Sequence, residues 1–144
     1  MRRISVLLIV FVSASACSVL SPDRKRTERE AAYISYAGLP SLLQAPDTVT
    51  AGTSFSVSVR TFGGGCIDLG DTETAIGDYV IEIKPFDIFT THLPDGWACT
   101  DELAVYTHSV SLRIDAAGTW ALRAIGRSGP AGASEIAERI VIVR

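Results

Sequence analysis

Residues 53–61, TSFSVSVRT, alternate strictly in character. Phe55, Val57, Val59 and Thr61 fall on one side of an extended chain, and Ser54, Ser56, Ser58 and Arg60 fall on the other. Successive side chains of a strand point to opposite faces, so the stretch reads as a β-strand packed on one face and wet on the other. Ala51-Gly52, just before it, is a turn signal.

The same period of two recurs downstream. In 79–85 (YVIEIKP) Tyr79, Ile81 and Ile83 oppose Glu82 and Lys84. In 105–115 Tyr106, His108, Val110, Leu112 and Ile114 share a face, with Ser109, Ser111 and Arg113 opposite. In 119–125 Trp120, Leu122 and Ala124 point inward, with Thr119 and Arg123 outward. Residues 138–143 (ERIVIV) form a more continuously apolar last strand, and 47–50, 72–76 and 88–91 are shorter candidates. Turn residues separate them at Gly70-Asp71, Gly77-Asp78, Pro94-Asp95-Gly96, Ala117-Gly118 and 129–132. The only rival helical stretch is 134–139, which runs straight into β-branched residues. About seven or eight short strands punctuated in this way predict an all-β domain over 44–144, a sandwich or a barrel.

Two stretches carry a family resemblance. PDTVTAGTSFSVSVRT (46–61) and DAAGTWALRAIGR (115–127) resemble the first two strands and the E–F corner of bacterial immunoglobulin-like domains. The resemblance implies an immunoglobulin-like antiparallel β-sandwich with an aromatic side chain at that corner. Trp120 stands at the position, with an indole N–H where a tyrosine would offer a hydroxyl.

The N-terminus reads as an address. Arg2 and Arg3 precede the apolar run Ile4–Val12. That run is too short to span a bilayer, which takes about 20 residues, and it matches the core of a signal peptide over 1–16. Ala14-Ser15-Ala16-Cys17 admits two readings that cut the same bond: ordinary cleavage after a small-x-small site, or a lipobox with Cys17 as the acylated residue. The segment resembles the signal of bacterial lipoproteins, with Ala14 where those proteins usually carry Leu. The resemblance implies export and anchoring of Cys17 in a cell-envelope membrane. Ser18 after the cysteine is compatible with the outer membrane, facing the periplasm. Residues 17–43 are then expected as a lipid-anchored tether. Its charged run, Asp23 to Glu30, is mixed in sign and has little to bury. Residues 33–43 (YISYAGLPSLL) read either as an edge strand broken by Gly38 and Pro40 or as an ordered part of the tether.

The remaining cysteines, Cys66 and Cys99, are expected to pair, as exported chains favour. Their bridge closes a loop worth about 3.5–4 kcal/mol of chain entropy. It would staple two loops at one end of the domain, with Trp97 as a cover. The competing use of these thiols is a metal site with one or both histidines. Cleavage before Cys17 leaves 11 Lys/Arg against 16 Asp/Glu. That balance argues against a nucleic-acid partner, which needs clustered basic residues. Membrane attachment would come from the anchor and not from a basic patch.

No motif for catalysis or for a cofactor is present. His92 and His108 are the only histidines. His108, on the inward face, is expected as a hydrogen-bonded core or rim residue, and His92 as a solvated one. Together, with or without Cys99, they define the alternative reading of a periplasmic metal-handling protein, although no C-x-x-C or H-x-x-x-H spacing supports it. Asp68, Asp71 and Glu73 lack the register of a calcium loop and read as turn acids. Gly63-Gly64-Gly65 lacks the Lys of a phosphate loop, and no G-x-S-x-G occurs. The expected function is a non-enzymatic binding module of the cell envelope. It would take a protein or small-molecule partner at loops 62–73 and 89–101, with Asp68, Asp71, His92, Trp97 and His108 as candidate contacts.

Overall fold

The computed structural model describes residues 24–130 and 132–144. The expected signal peptide and Cys17 lie outside the described residues. Ten strands and no helix make up the described chain: β1 (Arg26–Ala31), β2 (Tyr33–Ser35), β3 (Leu42–Gln44), β4 (Thr48–Val49), β5 (Ser54–Gly63), β6 (Ile67–Ile76), β7 (Val80–His92), β8 (Ala104–Arg113), β9 (Gly118–Ser128) and β10 (Ala133–Val143). The all-β class expected from the alternation is observed.

Two groups of strands are recognisable. In one, β5 pairs antiparallel with β8 along its whole length and with β3 on its other edge. In the other, β6 and β7 form a hairpin, β9 and β10 form a second, and β7 runs parallel to β9. A short parallel pairing adds β4 to the end of β10. The groups are not separate sheets, because β2 pairs antiparallel with β5 and parallel with β9. The result is one curled, mixed sheet of ten strands, where the sequence led us to expect seven or eight in purely antiparallel pairing.

The curl brings the inward faces together. Val57 and Val59 of β5, Leu112 of β8, Ile81 and Ile83 of β7, Leu122 and Ala124 of β9, and Val141 and Val143 of β10 form one buried cluster. The alternation read from the sequence is the cause. The serine side of β5 stays at least partly wet while Val57, Val59 and Thr61 are closed off. Two boundaries differ. The two short stretches expected at 79–85 and 88–91 are one strand, because Pro85 interrupts nothing. It sits where the neighbour of β7 changes from β9 to β1 and opposite a bulge in β6, where the ladder is already broken. Residues 134–139 are strand, held by β9 along their length.

The tether is where expectation and structure diverge. Residues 26–31 form β1, antiparallel to the second half of β7, where only a tether was expected, while 33–35 and 42–44 are strands on either side of Gly38 and Pro40, in line with the broken-strand reading of 33–43. The charges of this segment find partners in the sheet. Arg29 binds Asp71 at 2.7 Å and Glu73 at 2.7 Å, and its guanidinium lies 3.5 Å from the centre of the Phe86 ring. Glu30 binds Arg127 at 2.7 Å. Ala32 and Ile34, the few apolar residues nearby, are fully buried. A run with little of its own to bury is thus ordered by a complementary acidic strand.

Trp120 makes a hydrogen bond to its own upstream turn. Its indole N–H donates to the Ala116 carbonyl at 3.1 Å, four residues upstream, and its ring packs 5.1 Å from that of Tyr79. Tyr79 takes a positive φ of 58°, and it lies so close to Gly118 that a Cβ there would strike its ring. Replacing Trp120 by Phe removes the bond and part of the buried volume. We expect it to cost about 2 kcal/mol, read as a lowered midpoint in urea with an unchanged slope.

Candidate functional site

The ladders of β5–β8 and β6–β7 both end at the same pole of the molecule. The first closes at Gly63 opposite Ala104, the second at Ile67 opposite Phe89. Between them the 64–66 turn meets the 93–103 segment. Cys66 and Cys99 are joined there by a disulfide, with their Cα atoms 5.2 Å apart. The pairing expected of the two body cysteines is present, and it takes both thiols out of any metal site. The glycine run finds its purpose at the same place. A Cβ on Gly64 would collide with the Glu102 carbonyl, and one on Gly65 with the backbone of Thr100. The two segments touch through bare backbone, so the run serves close approach and needs no anion to explain it.

Beside the disulfide opens a cavity of about 320 Å³, near the lower end of small-molecule sites. Its walls include Tyr33 and Tyr36 from the β2 region, Ile67, Leu103, Asp101 and Glu102. The Tyr33 and Tyr36 rings lie 6.3 Å apart and are inclined at 43°. Tyr106 fixes the floor by donating its hydroxyl to the Ile67 carbonyl at 2.6 Å. Burial raises the Tyr106 phenol above its ordinary value, and the nearby charges of Asp68, Asp87 and Glu102 push the same way.

A second constellation lies within the sheet edge. His108 Nε2 is 3.0 Å from Asp87 Oδ1, and His108 Nδ1 is 2.9 Å from the Thr72 hydroxyl. The Gly70 N–H donates to the same Asp87 oxygen at 3.3 Å. The order hydroxyl, imidazole, carboxylate is that of a nucleophile with its base. The imidazole and carboxylate are sealed, however, with side-chain exposures of 1% and 0%, and neither lines the cavity. Both ring nitrogens are occupied. The array clasps β6 and β7 to β8 at the open edge of the curl.

The candidate contacts are therefore dispersed. Asp68 lies 3.9 Å from Lys25, and Asp71 is tied to Arg29. The Arg29 hydrogen bond holds the Asp71 carboxyl below the usual carboxylate range. His92 is exposed at the end of β7, opposite Arg26. Trp97 is 70% exposed and does not close over the disulfide as a buried cover would. His108 is the inward, hydrogen-bonded residue that its face foretold. The structure does not gather His92, His108 and Cys99 into one site, and among the described residues no group of three or more His, Cys, Asp or Glu is placed to hold a metal ion. Sequence reasoning missed Tyr33, Tyr36, Asp101 and Glu102 as cavity residues, and Asp87 as the partner of His108. Asp87 was within reach, since the alternation Ile81, Ile83, Pro85, Asp87 carries it inward.

Comparison with known proteins finds no family model, curated protein or solved structure that matches the chain.

Two measurements probe the two constellations. Replacing His108 by Ala leaves the Asp87 carboxylate buried without its partner, a change that costs about 3–5 kcal/mol. The double replacement His108→Leu with Asp87→Leu is expected to be markedly less harmful than the sum of its parts, as a double-mutant cycle in urea will read. Tyr106, with its raised phenol, favours the folded state fully below the ordinary tyrosine value near 10 and loses that contribution as pH rises through the folded value. Alkaline unfolding followed by circular dichroism should therefore lose its Tyr106 component in the Tyr106→Phe variant.

Proposed function

We propose that the protein is an exported, lipid-anchored binding module of the cell envelope that holds its ligand at the disulfide-flanked cavity without chemical conversion. The observation that carries this reading is the Cys66–Cys99 bridge beside a cavity of about 320 Å³. A bridged pair belongs to an oxidising compartment. It also leaves Cys17 as the one cysteine without a protein partner in the chain, at the residue where the lipoprotein-like signal places the acyl group. The cavity walls come from four separate segments, the β2 region, the 63–67 turn, the 99–103 segment and Pro130 after β9. Loops on a rigid sheet are the usual seat of recognition. The indole bond from Trp120 to Ala116 supports the kinship with immunoglobulin-like domains that the 115–127 stretch suggests.

Intact mass spectrometry of the protein from its membrane fraction tests the anchor. The expected mass starts at Cys17, carries acyl chains, and is two hydrogens lighter than the fully reduced chain. The Cys17→Ser variant is expected to leave the membrane fraction. An unmodified N-terminal Cys17 in a freely soluble protein overturns the anchor.

A further inference from the structure

We propose that the cavity beside the disulfide takes a cation, an ammonium or guanidinium group on a short apolar stem, held between the Tyr33–Tyr36 pair and the carboxylates of Asp101 and Glu102. This inference rests on the cavity being the binding site and adds the chemistry of its occupant. The first ground is charge. From 61 to 112 the chain carries nine Asp/Glu and one basic residue, Lys84. Most of those acids have partners in the fold: Asp68 with Lys25, Asp71 and Glu73 with Arg29, Glu82 with Lys84, and Asp87 with His108. Asp101 and Glu102 have none among the described residues, and both line the cavity, where no Lys or Arg does.

The second ground is the wall opposite. Two tyrosine rings inclined at 43° offer faces to which cations are attracted. One of them already shows this affinity, since the Arg127 guanidinium lies 4.8 Å from the centre of the Tyr33 ring. Ile67, Leu103 and Pro130 give the remaining wall an apolar character suited to a methylene stem. An anion would meet two uncompensated carboxylates, and a neutral apolar ligand would bury them unpaired. The field at this pole is negative, as the influence of Glu102 and Asp68 on the Tyr106 phenol records. The cation can come from a free amine or from a Lys or Arg side chain of a protein partner.

Calorimetry on the full-length mature protein tests the inference, using agmatine, a short blocked peptide bearing one Arg, pentanol as neutral control and pentanoate as anionic control. Agmatine, the peptide or both are expected to bind, and pentanoate not at all. The paired variant Asp101→Asn with Glu102→Gln should weaken cation binding about tenfold. That variant must keep the native circular dichroism spectrum and no free internal thiol, and Tyr36→Leu provides a second, uncharged probe of the same wall. Binding by agmatine identifies a free amine as sufficient. Binding by the peptide alone identifies a protein side chain. Equal binding of pentanol and agmatine, unaffected by the charge-removing pair, overturns the cationic occupant and leaves the cavity as a site. No binding by any probe overturns both the occupant and the cavity reading.

Discussion

The stretch Ala32-Tyr33 holds the two halves of the structure together, Ala32 on the β7–β9 side and Tyr33 across to β5. The Ala32 N–H donates to the Pro85 carbonyl at 3.0 Å, and its carbonyl accepts the Arg127 N–H at 2.9 Å. One residue later Tyr33 pairs with Phe62 of β5 as well as with Arg127 of β9. The β5–β8–β3 group and the β7–β9–β10 group thus become one sheet through a strand of three residues. The seam works because its neighbours make room. At Gly126 a Cβ would strike Ile34 and the Ala32 carbonyl, so a side chain there would force β2 away from β9. Ala32 and Ile34 are fully closed to water, and buried backbone groups at such a place have to find partners within the protein. Ala32 finds them in β7 and β9, and Tyr33 pairs with β5 and β9, so this short stretch touches three strands.

The strands that alternate by themselves were legible. In β5, β8 and β9 the period of two named Val57, Val59, Thr61, His108, Leu112, Trp120, Leu122 and Ala124 as inward, because one face meets a core and the other meets water, but it did not name Phe62, buried beside Thr61. The segment before residue 44 was not legible in this way. Arg29 and Glu30 carry no hydrophobic signal, and their order comes from the ladder with β7 together with Asp71, Glu73 and Arg127, which lie 40 to 100 residues away in the chain. Local composition describes what a segment can bury by itself. It is silent on a complementary strand elsewhere. The same limit explains why the mixed topology escaped: parallel pairing of β2 with β9 and of β7 with β9 leaves no trace in the local pattern.

The site was legible only in its covalent part. Cys66 and Cys99 announce each other by elimination, and the glycines before Cys66 announce a tight place. The tyrosines that face the bridge belong to a segment whose path depends on the Ala32 seam. Asp101 and Glu102 look like any loop acids until the fold shows that, among the described residues, no Lys or Arg forms an ion pair with them. His108 was correctly placed on an inward face, yet its partner comes from β7 and its hydroxyl contact from the bulged stretch of β6. Bulges re-aim side chains, and the one between Leu69 and Thr72 puts Thr72 in register with His108.

These features share one cause, the end of two ladders at one pole. The β5–β8 ladder ends at Gly63 and Ala104 and the β6–β7 register ends at Ile67 and Phe89, beyond which only the Thr90 N–H bond to the Cys66 carbonyl and the pairing of β7 with β1 continue. The core cluster lies away from this pole, on β5, β7, β9 and β10, so apolar burial does not order the 93–103 segment. What ties it down is the disulfide at Cys99 and the close approach of Gly64 and Gly65 to Glu102 and Thr100. Regions held by few contacts open locally at a lower free energy than the core. If it is the binding site proposed above, a pole built in this way can adjust to an occupant without disturbing the sheet. The cross-link limits how far it moves, and the sheet fixes where the tyrosines stand. On the proposed function, the division of labour assigns stability to the alternating strands and recognition to the pole where the β5–β8 and β6–β7 ladders end.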